Sequence, residues 1–155
     1  MPKPKIKNPH QAALYAAEKV LSHQARRFTD IRQVRTYVDG LVGSEWFYER
    51  WPELEVVTVH RRSSGATWSI AAEHGHECGE IFLTSLDIAT ILHELAHLCT
   101  PDDPGHGVSF AEAFLTLVRH EMGFFAWADL YQALRSTEPF QYVREGVKPK
   151  EVCYG

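Results

Sequence analysis

The chain has 155 residues, 45% of them hydrophobic and 23% charged, which suits one domain with its own core and excludes an extended disordered protein. A net charge of −4 excludes a global electrostatic attraction for nucleic acid or membrane surfaces. Cys78, Cys99 and Cys153 show no paired spacing, which excludes a disulfide scaffold, and no apolar run approaches the roughly 18 residues of a membrane span.

Residues 1–8 read as a loose basic tail. The start, MPKPKIKNPHQ, is charged but has no apolar stretch, so no signal peptide is expected and the cytoplasm is the expected compartment. From Pro9 the run HQAALYAAEKVLS has alanine-rich helical character, with proline suited to the first turn. A second helix is predicted over 30–42, where Ile31, Val34, Val38 and Leu41 fall in phase. Ser44 then opens a short aromatic segment, Trp46, Phe47, Tyr48 and Trp51, closed by Pro52 and expected to plug the core. Arg26, Arg27, Arg32 and Arg35 form the notable basic cluster. A solvated helix face is the default reading, with a local nucleic-acid contact as the alternative.

Three strands are predicted over 54–60, 66–72 and 80–83, with turns at 61–65 and 73–79. The second turn holds His74, His76 and Cys78. One short loop makes a poor metal cage, so these read as solvated turn residues.

The organising stretch follows, TSLDIATILHELAHLCTPDDPGHGVSF over 84–110. Thr84, with Asp87 three residues on, reads as the helix start, and the run Thr100-Pro101-Asp102-Asp103-Pro104-Gly105 cannot stay helical. Between them lies His93-Glu94-Leu95-Ala96-His97, an H-E-x-x-H pattern. Positions i and i+4 share a helix face, so His93 and His97 can aim two imidazoles at one point. Glu94 lies about 100° round the axis from His93, where a carboxylate can act as a base without becoming a ligand. Ile88, Ile91, Leu92, Leu95 and Leu98 cover most other directions, and Cys99 reads as core. His106, between Gly105 and Gly107, is the expected third ligand, because a catalytic zinc takes three protein ligands and leaves its fourth position to water. Ser109-x-x-Glu112 reads as a capping box opening a second helix, with Phe110, Phe114, Leu117 and Val118 on one stripe and Gly123 as its stop. A further helix carries Trp127, Leu130, Tyr131 and Leu134 on a packing stripe, and residues 136–155 read as an irregular tail over the body.

The string HELAH, a Pro/Asp/Gly loop, then His-Gly-x-x-Phe resembles the SprT-like and minimal-gluzincin zinc metallopeptidases. In size and layout the chain also resembles the small metallohydrolases of actinobacteria and their phages. The resemblance is close over 84–123. It implies one Zn²⁺ held by His93, His97 and His106, Glu94 as catalytic base, and a protein or peptide substrate; classical gluzincins take a glutamate of the following helix as third ligand, which keeps Glu112 open as the alternative to His106. It also implies a zincin-like α+β domain spanning 1–155, with N-terminal helices, a small mostly antiparallel three-stranded sheet, the active-site helix, then C-terminal helices. An extended peptide would add to a sheet edge as one more strand. The four-cysteine ribbon of long SprT-like proteins is missing, since no C-x-x-C occurs. Tyr131, Tyr142, His120 and Arg119 are each able to donate to an oxyanion, and nothing in the sequence ranks them. Two other readings stand beside this one. A ribonuclease of the YbeY type also uses three histidines, but with a shorter final spacing and no glutamate at the second position. A non-catalytic zinc-stabilised binding module would have no use for Glu94.

Overall fold

A computed structural model of the chain describes residues 8–22, 24, 26–62, 70–74 and 77–150, with 70–74 described by backbone alone. The element order is α1 (Pro9–Glu18), α2 (Ile31–Val42), α3 (Glu45–Arg50), β1 (Val56–Arg61), β2 (Ile70–His74), β3 (Cys78–Leu83), α4 (Ile88–Cys99), α5 (Val108–Met122) and α6 (Phe124–Arg135). Single 3₁₀ turns follow α1 at Lys19–Leu21 and α6 at Glu138–Phe140.

Local chemistry accounts for most helix starts. Asn8 caps α1 by accepting from the His10 N–H, so the expected tail ends at residue 7; residues 1–7 lie outside the described part. Pro9 takes the first helical position, where its missing N–H costs nothing. Asp30 caps α2 through the Gln33 N–H, and Ser44 caps α3 through the Phe47 N–H. Val34 and Val38 of α2 and Phe47 of α3 are fully buried, as the apolar phasing predicts.

The sheet corrects the sequence reading. Its strand order is β1-β3-β2, with β2 antiparallel to β3 but β1 parallel to β3, from Val56 opposite Cys78 to Arg61 opposite Leu83. The mostly antiparallel zincin-like sheet is therefore not found. The class is α+β, with six α-helices among the described residues and a two-stranded parallel pair that β2 extends. Strands joined by short turns usually pair in chain order and so antiparallel. Here β1 bypasses β2 and takes the far edge of β3. Strand alternation could not reveal this, since side chains alternate with period two in either direction. Val57 and Val59 of β1 and Ile81 and Leu83 of β3 point into the core, while Val56 faces out.

Helix α4 packs on the inner face of this sheet, and one glycine sets how closely. A Cβ on Gly79 of β3 would lie 2.6 Å from Leu98 Cδ1 of α4, a separation atoms do not tolerate. Two arginines of the basic cluster also serve the frame. Arg35 Nε donates to the Val59 carbonyl of β1 at 3.0 Å. The segment around Arg27 pairs antiparallel with Asp87, with Phe28 N–H donating to the Leu86 carbonyl and Ile88 N–H to the Arg26 carbonyl. The entry to α4 is thereby fixed before its first turn. Among the described residues, no helix is long and apolar enough to cross a membrane.

Candidate metal centre

Helix α4 starts at Asp87 rather than Thr84. The Asp87 carboxylate accepts from the Thr90 N–H at 2.9 Å, from the Thr90 hydroxyl at 2.8 Å and from the Ser85 hydroxyl at 2.5 Å. Aspartate three residues before Thr90 satisfies the cap directly, so no reciprocal box is needed. The helix is buried on nearly all sides, polar residues included: His93 is 8% and Glu94 6% exposed. Such groups would be costly without partners, so where their atoms point decides the chemistry.

The three expected histidines come together. His97 Nε2 lies 2.9 Å from His106 Nε2, and His93 Nε2 lies 3.2 Å from the same atom. All three offer a ligand atom within 4.8 Å of one another. Four donors set tetrahedrally at zinc–nitrogen bonds of 2.0–2.1 Å are spaced about 3.3 Å apart, and the observed separations approach that value. Hydrogen bonding does not explain both contacts. His106 Nε2 has either one proton or one lone pair, enough for one well-directed hydrogen bond, and two ring nitrogens lie against it. On His93, the Nδ1–H donates to the Glu18 carboxylate of α1. That fixes the tautomer, so neutral His93 turns the Nε2 lone pair inward.

The electrostatics agree. Burial presses His97 down to about 3, reinforced by His93 and His106. Burial and His93 press His106 down to about 4, with Asp103 working against them. Both rings therefore present lone pairs at neutral pH. Burial opposes charge on His93 too, but the Glu18 carboxylate on its Nδ1, with Glu94 beside it, outweighs burial and lifts its pKa above the ordinary imidazole value. Glu18 thus favours one positive charge at the inward nitrogens, the place where a cation would sit. The three histidines are close enough to hold one metal ion.

Glu94 is held differently. Burial lifts its pKa; His93 opposes that and Glu18 adds to it. Its carboxyl has no hydrogen-bond partner among the described residues and is not one of the clustered ligands.

The loop that delivers His106 departs from expectation in two ways. His106 itself has φ of 60°, so the left-handed residue is the histidine and not a flanking glycine. Histidine is among the residues that visit this region more often, at a cost of about 1–2 kcal/mol. The second departure concerns the start of α5. Gly107 is its N-cap residue without a side-chain cap, and Asp103 reaches across the loop instead, accepting from the Gly107 N–H at 2.9 Å and the Phe110 N–H at 3.0 Å. A Cβ on Gly107 would come within 2.5 Å of Asp103 Oδ1, which explains glycine there. Asn8 also ties the loop down, its Nδ2 donating to the Gly105 carbonyl at 2.9 Å.

The Ser109–Glu112 capping box is therefore not formed. Glu112 is neither a cap nor a ligand. Its buried carboxylate accepts from the Arg144 backbone N–H at 2.8 Å and from the guanidinium at 3.0 and 3.1 Å. Phe110 and Phe114 of α5 form an aromatic wall, with Phe110 centred 4.4 Å from the His97 ring and 5.0 Å from the His93 ring.

Three residues of this site escaped the sequence: Glu18, Tyr15 and Asp103. Tyr15 of α1, 44% exposed, has its ring centred 5.4 Å from His106 and 6.1 Å from His93, and its hydroxyl accepts from Gln11 Nε2 at 3.2 Å. Tyr15 and Glu18 are three apart and so share a face of α1, but nothing local says that this face crosses the H-E-x-x-H helix. Asp103 had a local signal, since an aspartate four residues before a glycine at a helix start is a loop-capping geometry. None of the four residues considered as oxyanion donors touches the cluster. Arg119 and His120 line one cavity, and Tyr131 and Tyr142 another. The loop histidines expected to be solvated, His74 and His76, lie where side chains are not described.

No protein-family model matches the chain, and neither does any curated protein or any solved structure.

Proposed function

We propose that this chain is a zinc-dependent hydrolase that cleaves peptide bonds, with Glu94 as its general base. The observation that carries the reading is the convergence of the His93, His97 and His106 Nε2 atoms with a buried, unengaged Glu94 carboxylate one residue along the same helix. Three imidazoles beside an acid group form the donor set of a catalytic zinc centre rather than of a closed structural one. When bound, the zinc supplies Lewis acidity toward a carbonyl oxygen and toward a water molecule.

The remaining steps belong to the chain. Glu18 holds the His93 ring by its Nδ1–H. Glu94, with a pKa lifted toward the working range of a base, accepts a proton from water and passes it to the leaving amine. Tyr15, whose oxygen already accepts from Gln11, keeps its own O–H free to donate to a developing oxyanion. Phe110 and Phe114 exclude water from the other side. The resemblance to SprT-like peptidases points to the same substrate class.

The test is hydrolysis of an unstructured protein such as casein, with and without chelator. Glu94→Gln should keep the metal and abolish cleavage. Chelator-resistant cleavage would overturn the metal role, and cleavage of RNA instead of casein would overturn the substrate class.

A further inference from the structure

A second site lies on another part of α5. Beyond the aromatic wall, α5, α3 and the segment 145–148 line an open cleft of about 490 Å³ that shares no residue with the histidine cluster. Its lining carries Arg50, Arg119 and Lys148 against the carboxylate of Glu145, and Arg50 is also paired with Glu49 at 3.7 Å, which leaves Arg119 and Lys148 as the cations of the lining without an ion-pair partner among the described residues.

The walls are braced before any ligand arrives. The Trp46 indole is covered on one side by the His120 ring, with centroids 3.6 Å apart and planes 14° from parallel. The Arg50 guanidinium lies 4.5 Å from the Trp46 ring centre. Glu121 fixes His120, accepting from its Nδ1 at 2.8 Å while also accepting from the Tyr37 hydroxyl of α2 at 2.5 Å. Arg119 is held only by its cation–π contacts, 4.6 Å from the Trp127 ring centre and 5.9 Å from that of Phe124. Its N–H groups and the Lys148 ammonium make no hydrogen bond or ion pair with the described residues. Arg50 Nε is the sole buried side-chain polar atom among the described residues without a hydrogen-bond partner. That N–H is out of reach of solvent, and the same guanidinium donates from Nη1 to the Trp46 carbonyl at 2.9 Å, so Arg50 is fixed as part of the wall.

We propose that this cleft is a binding site for the phosphate group of a small molecule, held by Arg119 and Lys148 with the Arg50 guanidinium beside them. Guanidinium groups match phosphate oxygens with paired N–H donors, and a lysine adds a point charge. Arg119 and Lys148, two neighbouring cations without an ion-pair partner among the described residues, match a phosphate dianion rather than a single carboxylate. The Trp46 ring already carries the His120 ring and the Arg50 guanidinium, so the ligand's organic part is not stacked there. Anchoring comes from the anion.

The test is calorimetric titration of the zinc-loaded full chain with inorganic phosphate, then with phenyl phosphate. The expected result is one saturable site per chain for inorganic phosphate, tighter for phenyl phosphate if the rest of the cavity contributes. The double variant Arg119→Ala/Lys148→Ala should weaken binding at least about tenfold, with metal content unchanged and a single cooperative melt retained. No saturable binding up to about 10 mM phosphate would overturn the proposal. So would binding undiminished in the double variant, which would put the phosphate at the metal centre, or acetate binding as tightly as phosphate. Because the variant positions lie outside the histidine cluster, failure here leaves the hydrolase reading untouched, and the reverse.

Discussion

Replacing Glu18 probes the metal centre from its least obvious member. The carboxylate is 22% exposed at the side chain and the His93 ring 10%, so the hydrogen bond between them is shielded from water. In Glu18→Ala the His93 Nδ1–H loses its acceptor in a buried setting, and the ring is free to turn or to place its proton on Nε2, which removes the lone pair a metal needs. Partners of this kind contribute about 10–100-fold in metal affinity, or about 1.4–2.7 kcal/mol. Glu18→Gln keeps an acceptor for the Nδ1–H but removes the charge, so it should lose less than the alanine variant. A second effect separates the two roles of Glu18. Its charge also helps to raise the Glu94 pKa, so in Glu18→Gln that pKa falls and the acid limb of the rate profile moves to lower pH. Zinc affinity by competition with a chromophoric chelator, followed by a pH–rate profile, reads both. Unchanged affinity in Glu18→Ala would refute the reasoning, as would an acid limb that moved upward in Glu18→Gln.

Further tests address other contacts. Tyr15→Phe should lower kcat by about tenfold or more while zinc content holds, and an unchanged kcat would remove the hydroxyl from the reaction. Asp103→Ala strips the cap from α5 and should cost about 0.5–2 kcal/mol by urea denaturation. Gly107→Ala should destabilise through the same cap, and the double variant should lose less than the two single losses added; full additivity would show that the contacts are independent. In metal-free protein, His97 and His106 have folded pKa values of about 3 and 4, below the unfolded imidazole value. The unfolded chain then binds more protons between about pH 6.5 and those values, so stability should fall as pH drops through that window. Melting temperature measured from pH 7 to pH 4 with chelator checks the sign. If an extended peptide adds along β2, an edge strand of the sheet among the described residues, amides over 70–74 should gain hydrogen-exchange protection on adding peptide, and no gain would exclude that docking mode.

The site was more legible in the sequence than the sheet, for a physical reason. Two histidines four apart with a glutamate between them are bound by helix geometry, so their convergence follows once the helix is granted. His106 was readable because its loop is short and begins where the helix must stop. Direction of strand pairing is different, because β1 could pair with either later strand without changing one buried residue. The capping errors share another cause. Thr84 and Ser109 match a local pattern, but Asp87 sits nearer the first orphan N–H groups of α4, and Asp103 reaches those of α5 across a loop. Glu112 looked like a cap or a ligand because its partner, Arg144, is 32 residues away. Glu18 and Tyr15 were unreadable for the same reason, since only tertiary packing brings α1 over α4.

The most direct test is anomalous diffraction at the zinc edge from protein crystallised after exposure to stoichiometric zinc. A single peak about 2.0–2.1 Å from the Nε2 atoms of His93, His97 and His106, lost in His106→Ala, is the predicted result. A chain that takes up no zinc, or one whose zinc lies away from these three nitrogens, would contradict the account.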